Sequence, residues 1–267
     1  MDTISGSTCR LCGGVLEPAF RATIMDKYEI GYFKCVACES LQTEPPHWLE
    51  EAYDSHLRHL DLGAVQRNLA NQAACYLTAR LWGCRNALDY GGGDGLLCRM
   101  LRDHGVNCYV SGKYGDPTYA QTFTEPDFAP PDIVFSFEVF EHFARPAHEL
   151  AEVFDRGATV ILASTGLYRG QGPDWFYLSR ASGRHVFFYS PKAIGQIGER
   201  FGYAATISGP YLLFVRPAAA RPAALAVFKT FTRKIGLRLL RIWMSALPVR
   251  GVAADSALMR RRGLDPT

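Results

Sequence analysis

The sequence predicts an α/β protein: a doubly wound, mostly parallel sheet with helices on both faces, preceded by a small metal-binding ribbon. Three observations carry this reading. Short apolar runs alternate with helix-length amphipathic segments through the middle of the chain. The first of those runs ends in a glycine-dense turn, Gly91-Gly92-Gly93-Asp94-Gly95. Two Cys-x-x-Cys pairs, Cys9/Cys12 and Cys35/Cys38, stand near the N-terminus.

Residues 1–45 hold the paired cysteines, with β-type text such as Glu29–Cys35 between them. A single such pair serves equally well as a redox couple. Two pairs, with Gly13-Gly14 directly after the first, point instead to four thiolates closing a tetrahedral zinc site. Four protein ligands leave no open position, so that zinc is expected to be structural. Pro45-Pro46 then break the chain. Residues 46–82 read as a helical linker or cap: Leu49, Tyr53, Leu57 and Leu60 recur at helical spacing, and a second helix covers Arg67–Trp82.

From residue 83 onward strands are expected at Asn86–Tyr90, Val106–Gly112, Pro131–Phe137 and Ala158–Ser164. Helices are expected at Gly95–Gly105, Pro146–Phe154 and Pro191–Gly202. Pro146 and Pro191 stand at first helical positions, where a missing N–H costs nothing. The final segment Asp255–Arg262 reads as a last strand, which makes the helical stretch before it, about 223–247, an insertion. That insertion is basic and amphipathic. Leu225, Phe228, Ile235, Leu239, Ile242 and Ala246 form one face, and Lys229, Arg233, Lys234, Arg238 and Arg241 occupy much of the other. Such a helix either docks on the catalytic domain or lies on an anionic membrane surface.

Charge is uneven. Eleven of the 29 Lys/Arg but only two of the 26 acids fall from Arg216 onward, so a mildly acidic body carries a basic tail. No aromatic stacking array accompanies the basic face, which argues against nucleic-acid binding. The composition, 48% hydrophobic and 21% charged, is that of a folded soluble chain. No apolar run reaches the roughly 18–20 residues that span a bilayer, and the N-terminal text lacks the features of a secretory leader. A cytoplasmic protein is expected, membrane-peripheral where the basic helix lies on a bilayer. Its thiols would stay reduced there, and Cys75, Cys84, Cys98 and Cys108 read as small buried hydrophobes.

Glycine offers no side chain and costs backbone entropy, so a cluster of it needs a reason. At the carboxyl end of a first strand that reason is a ligand approaching the main chain. The spacing fits neither the dinucleotide fingerprint nor a phosphate-binding P-loop. It does spell Asp89-x-Gly91-x-Gly93-x-Gly95. This resembles motif I of the class I S-adenosylmethionine-dependent methyltransferases, a Rossmann-like family. The resemblance implies that Gly91, Gly93 and Gly95 pass under the cofactor, with Asp89 near its amino group. The segment Pro131–Pro146 is similar to the family's fourth-strand region, which implies that Phe137 and Glu138 face the cofactor while Glu141 and His142 open the next turn. The segment Gly183–Tyr203 resembles methyltransferases of sugar and polysaccharide clusters, some of which also carry an N-terminal zinc ribbon. Together these motifs cover residues 86–215. One departure stands out: where the family has a ribose-binding acid at the end of the second strand, this chain has Gly112, Lys113 and Tyr114, and Asp116, two or more positions late, is the cofactor-binding candidate to substitute for it unless the ribose is held otherwise.

The resemblance implies methyl transfer to a small-molecule or glycan acceptor. An RNA or protein methyltransferase, using ribbon and tail to hold a macromolecule, is the alternative. A non-catalytic methyltransferase-like interaction protein is another. For a hydroxyl acceptor a general base is needed, and the candidates are His185, His142 and Tyr189.

Overall fold

The computed structural model describes residues 8–54, 62–112, 115–124 and 126–264. In chain order the elements are β1 (Leu16–Ile24), β2 (Tyr28–Cys35), β3 (Leu41–Thr43), α1 (Leu49–Asp54), α2 (Ala64–Trp82), β4 (Asn86–Tyr90), α3 (Leu96–Asp103) and β5 (Asn107–Ser111). There follow β6 (Ile133–Phe137), α4 (Pro146–Phe154), β7 (Val160–Ser164), β8 (Phe187–Phe188) and α5 (Pro191–Phe201). The described chain ends with β9 (Ala204–Ser208), β10 (Tyr211–Val215), α6 (Pro222–Phe231), α7 (Lys234–Ser245) and α8 (Gly251–Arg261). These fold into two compact units, one of Met1–Leu62, Glu138–Asp155 and Ala163–Pro217, the other of Gly63–Phe137, Arg156–Leu162 and Ala218–Thr267.

In the first unit β1, β2, β3 and β8 form an antiparallel sheet in that order. Its buried side packs Ile24, Ile30, Tyr32, Leu41, Trp48 and Phe188 together, and the Trp48 indole donates to the Gly183 carbonyl at 2.8 Å. The ribbon is therefore not closed by residues 1–45 alone. Leu41 pairs with Phe188 and Gln42 with Phe187, so a strand from far along the chain completes it. β9 and β10 pair antiparallel in the same unit, and β10 is buried along its whole length.

In the second unit β4 is a nearly continuous buried run, as expected of a strand covered on both faces. It pairs in parallel with β5 and with β6. The Asp132 carboxylate accepts the N–H groups of Arg85 and Asn86, fixing where β4 starts. The full sheet order is β5-β4-β6-β7-β10-β9. Strands and helices at the expected positions make this the doubly wound architecture anticipated above.

The tail differs from expectation twice. Residues 255–261 lie in a helix, α8, capped by Arg262, rather than in a last strand. Asp255 and Met259, one turn apart, are its buried positions, and Gly251 passes so close to the Arg102 carbonyl that a side chain there would collide with it. The sheet is instead completed by β9 and β10, so the basic helices follow it and do not interrupt it. The single helix expected over 223–247 is also two. The Thr232 hydroxyl donates back to the Phe228 carbonyl at 2.7 Å, a bond that competes with helix continuation, and a side chain at Gly236 would strike the Thr230 carbonyl. α7 docks on α2, where Leu240 and Met244 pack against Ala73. Ile235, Leu239 and Ile242 stay exposed on its other side. Among the described residues no helix is long and apolar enough to cross a membrane. Leu57 and Leu60, read as part of a helix, lie outside the described residues.

Asp255 anchors α8. Its carboxylate takes a bidentate pair from Arg102, at 3.0 and 2.6 Å, and a contact from Arg99 at 2.7 Å. Burial pushes the Asp255 carboxyl up, but hydrogen bonds and charge from Arg102 and Arg99 outweigh it and hold the group below its usual value. Breaking a buried pair by removing one partner costs about 3 kcal/mol. Asp255→Ala is expected to lower unfolding stability by roughly that amount at pH 7 in chemical denaturation. A depressed carboxyl contributes stability that is complete above its unfolded value and lost as pH falls through the folded one. The difference between wild type and variant should therefore shrink below about pH 4.

Candidate functional site

The glycine turn closes β4 and opens α3 in the second unit. Gly91, Gly93 and Gly95 all have left-handed backbones, at φ 77°, 58° and 78°. The turn is held by Gly91 N–H on the Ser111 carbonyl at 2.6 Å and Gly95 N–H on the Gly92 carbonyl at 2.9 Å. Gly92 cannot carry a side chain, because a Cβ would collide with the Asp89 carboxylate. A Cβ at Gly93 would meet nothing within 4 Å, so that position faces open space beside bare backbone. Asp89 itself is 2% exposed, and its Oδ2 has no partner among the described residues. Burial first, and the nearby Asp94 second, push its carboxyl up to about 7. A buried carboxylate oxygen awaiting a donor, beside a backbone cradle, fits a cationic ligand of the kind the sequence implies.

Phe137 ends β6, half-buried and stacked on Phe135. Asp116 is exposed, in the segment after β5, and the Thr118 N–H bonds its backbone carbonyl at 2.8 Å. Lys113 and Tyr114 lie outside the described residues.

The first unit contains a separate polar cluster. Glu138, directly after β6, takes a left-handed backbone at φ 54°. Its carboxylate accepts the Ser164 hydroxyl at 2.6 Å and the Tyr177 hydroxyl at 2.9 Å. The same Tyr177 hydroxyl lies 2.6 Å from Glu141 Oε1. One phenolic hydrogen thus faces two carboxyl groups. Glu141 is fully buried and its Oε2 has no partner among the described residues. Burial, and then Glu138, push its carboxyl up to about 7.

Glu141 and His142 sit in a single 3-10 turn, Phe140–His142, and His185 immediately precedes the strand segment Val186–Phe188. The two imidazoles meet edge to face at 4.9 Å. His142 Nδ1 lies 3.1 Å from the Arg184 carbonyl and His185 Nδ1 lies 2.7 Å from the Tyr177 carbonyl. A carbonyl only accepts, so both Nδ1 atoms carry a proton, and in the neutral form of each ring Nε2 keeps the lone pair. Burial lowers the basicity of each ring.

Of the sequence candidates, His142, His185 and Glu138 are brought together, whereas Tyr189 is not a free acid or base. It is fully buried and its hydroxyl donates to the Phe140 carbonyl at 3.1 Å, which makes it a packing and bracing residue. Sequence reasoning missed Glu141 as a site residue, and with it Ser164 and Tyr177. The Glu138-x-x-Glu141-His142 spacing was the available signal, since it places both acids and the imidazole within one turn.

The four ribbon thiols converge. Cys9 and Cys38 Sγ are 3.7 Å apart, Cys12 and Cys35 Sγ 3.5 Å, and all four lie within 4.8 Å of one another. Zinc–sulfur bonds of about 2.3 Å place thiolates about 3.8 Å apart at the corners of a tetrahedron. Gly14 is required beneath them, because a Cβ there would sit 3.0 Å from Cys35 Sγ and 2.8 Å from Ala37 Cβ. The Cys9–Cys38 sulfur contact, in which one thiol donates to the other, favours a single thiolate shared by the pair.

A family model described as a methyltransferase domain matches residues 47–206. No curated protein sequence matches the chain. Among solved structures, the chain is similar to human N-acetylserotonin methyltransferase in complex with SAM, at 14% identity and a TM-score of 0.40. That likeness covers 55% of this chain and 51% of the other, so the chain spans about half the length of that enzyme. It is similar to magnesium protoporphyrin IX methyltransferase from Synechocystis PCC 6803 with bound SAH, at 16% identity and a TM-score of 0.43 over 64% of this chain and 97% of that one. An O-methyltransferase family protein from Burkholderia thailandensis matches at 15% identity and a TM-score of 0.46, over 62% of each chain.

Asp89 gives the glycine turn a measurable signature without any ligand. A carboxyl whose folded value lies above its unfolded one makes the native state bind extra protons, so its cost grows as pH rises between the two values. Asp89→Asn removes that cost. The ligand-free variant should match wild type near pH 4 and become more stable, by roughly 1–3 kcal/mol, between pH 4 and 7, with the difference level above that. Denaturant titrations across pH check it.

Proposed function

Because the chain belongs to the methyltransferase-domain family, we propose that it transfers a methyl group from S-adenosylmethionine to a hydroxyl of a small-molecule or carbohydrate-type acceptor. The observation that carries this is the open backbone cradle at Gly93 beside the unpartnered Asp89 Oδ2. In this reading Gly91, Gly93 and Gly95 hold the cofactor against bare main chain, and Asp89 offers its free oxygen to the cationic amino group. Phe137, at the end of β6 in the same unit, continues the cofactor side. No ribose contact is assigned to the exposed Asp116. When bound, the cofactor supplies an electrophilic methyl on a sulfonium.

The chain's own contribution is to orient the acceptor and ease loss of its proton. His142 and His185 act on the acceptor hydroxyl through their Nε2 atoms, each ring fixed by its Nδ1–H bond to a backbone carbonyl. The carbohydrate class is supported by the segment Gly183–Tyr203, whose text resembles sugar-cluster methyltransferases. The four ribbon cysteines hold a structural zinc, whose role is to close the β1–β2–β3 end of the first unit.

Two measurements test this. Calorimetric titration should show wild type binding S-adenosylmethionine and Gly93→Ala binding it at least about tenfold more weakly. The added methyl would enter the cradle, and a left-handed non-glycine residue there costs only roughly 1–2 kcal/mol of stability. A folded Gly93→Ala protein with unchanged affinity would remove the cradle from the cofactor site. Transfer of labelled methyl into nucleotide sugars, glycolipids, small phenols and RNA then identifies the acceptor, and label in RNA alone would overturn the small-molecule reading.

Purified protein should also contain about one zinc per chain held by Cys9, Cys12, Cys35 and Cys38. Cys35→Ser should lose it and loosen the antiparallel sheet, read as lost metal by elemental analysis and a lowered melting temperature.

A further inference from the structure

We propose that Glu141, His142 and His185 form a second metal site, for a divalent first-row transition ion with an open position for the acceptor oxygen. The inference deepens the methyl-transfer reading and rests on it for its purpose, though not for its geometry.

The donor atoms of the three side chains lie within 4.8 Å of one another. Each is prepared for ligation in a different way from an ordinary buried polar group. Both imidazoles spend Nδ1–H on a backbone carbonyl, Arg184 for one and Tyr177 for the other. That is the arrangement in which the outer ring nitrogen fixes the tautomer and leaves Nε2 as a ligand. Glu141 presents an oxygen, Oε2, that is shut off from solvent and has no hydrogen-bond partner among the described residues. Burying an acceptor without a partner costs free energy that a stable fold normally avoids. The group it lacks is an electrophile.

The hydrogen count around the cluster says the same. Tyr177 has one hydroxyl hydrogen, and it faces Glu138 Oε2 and Glu141 Oε1 together. Two carboxyl groups and two neutral imidazoles leave this place short of positive charge. The nearby Arg184 guanidinium has partners of its own: its Nε donates to the Ala52 carbonyl at 2.9 Å and its Cζ lies 5.3 Å from the centroid of the Tyr53 ring. A divalent ion bound by Glu141 Oε2 and the two Nε2 atoms would satisfy the orphan oxygen and balance the two acids. Two nitrogens and one oxygen suit iron, manganese, cobalt or zinc better than calcium or magnesium. Three protein ligands leave positions for water or substrate.

The purpose follows from the chemistry. A neutral hydroxyl is a weak nucleophile, and a metal bound to its oxygen lowers the cost of ionising it. The acceptor O–H bond breaks with its electron pair left on oxygen and the proton passes to water. The oxygen pair then forms the new bond to the methyl carbon, while the carbon–sulfur pair stays on sulfur. His142 and His185 would thus act on the acceptor through the cation rather than by taking the proton themselves.

The test uses the full-length protein with its ribbon zinc in place, freed of loosely bound metal, and Mn²⁺ as the probe. Wild type is expected to bind about one Mn²⁺ per chain, with an electron spin-echo signal from directly bound imidazole nitrogen. Glu141→Gln and His185→Asn should weaken that binding by roughly 100-fold or more, since even outer-shell partners are worth about 10–100-fold. His148→Ala, a change at an exposed histidine, should leave it intact. Ribbon zinc, measured on the same samples, should be unchanged in all three. If a variant fails to fold, the nitrogen signal on wild type decides the matter. Wild type that binds no Mn²⁺, or binds it without nitrogen ligation, overturns the site. Cofactor titration on the same protein reads the methyltransferase assignment separately: binding of S-adenosylmethionine without Mn²⁺ would leave that reading standing and remove only this one.

Discussion

Arg10 stands between two of the ribbon's thiols and sends its guanidinium into the first unit, where it donates to three main-chain carbonyls. These belong to Thr43 at 3.1 Å, Ala144 at 3.1 Å and Val186 at 2.6 Å. Ala144 follows His142 by two residues and Val186 follows His185 directly, so one planar group sets the height of both imidazole-bearing segments. Bonds from a charged donor contribute roughly 1.5–3 kcal/mol each. The geometry of the fork matters as much as the energy, because a lysine could reach one carbonyl but could not hold three at fixed separations. Burial lowers the guanidinium's value to about 10, still far above neutrality, so the group remains a cation under all ordinary conditions. Anything that fixes the Cys9–Cys12 knuckle therefore fixes the cluster. A ribbon that looks like an appendage in the sequence is a foundation for the histidines.

The parallel part of the fold was open to reading because it is written locally. β4, β6 and β7 are buried five-residue runs, and the helices α3 and α5 end on glycines in left-handed conformations, at Gly105 after the α3 cap and at Gly202. Those signals need no knowledge of the rest of the chain. What failed depends on distant partners. The segment Asp255–Arg262 reads as a strand in the sequence, and the helix found there is anchored by Arg102 and Arg99, residues far from it in the chain. Likewise nothing around Phe187 announces that it pairs with Gln42. The break between α6 and α7 rests on a close approach at Gly236 that a helical wheel does not contain.

The two candidate clusters differ in the same way. The glycine turn is a backbone motif, and four glycines in five residues can be seen in one line of text. The polar cluster of the first unit is a side-chain constellation assembled from three stretches, Glu138–His142, Ser164 and Tyr177–His185. Its two histidines could be nominated singly. Their shared tautomer and the orphaned Glu141 oxygen could not, because both are set by main-chain carbonyls whose positions only the fold supplies. Tyr189 shows the converse. It is the right residue type in the right segment, yet the fold commits its hydroxyl to Phe140.

Glu138 joins the two descriptions through a conformational argument. Its φ of 54° is one that glycine adopts freely and other residues adopt at a cost of order 1–2 kcal/mol. Glycine at this position would relieve the strain and still let β6 turn into the short helix Phe140–His142. The chain nonetheless keeps a glutamate there, and its N–H bonds the Ser164 carbonyl at 3.1 Å while its carboxylate takes the Ser164 and Tyr177 hydroxyls. Those bonds offset the strain, but they do not explain it, because a glycine would need no offset. The carboxylate itself must be what the position is for. It shares the Tyr177 hydroxyl with Glu141 Oε1, while Oε2 of that residue has no hydrogen-bond partner among the described residues. A strained residue at the end of a regular strand is thus tied into the same hydrogen-bond network as the orphaned oxygen.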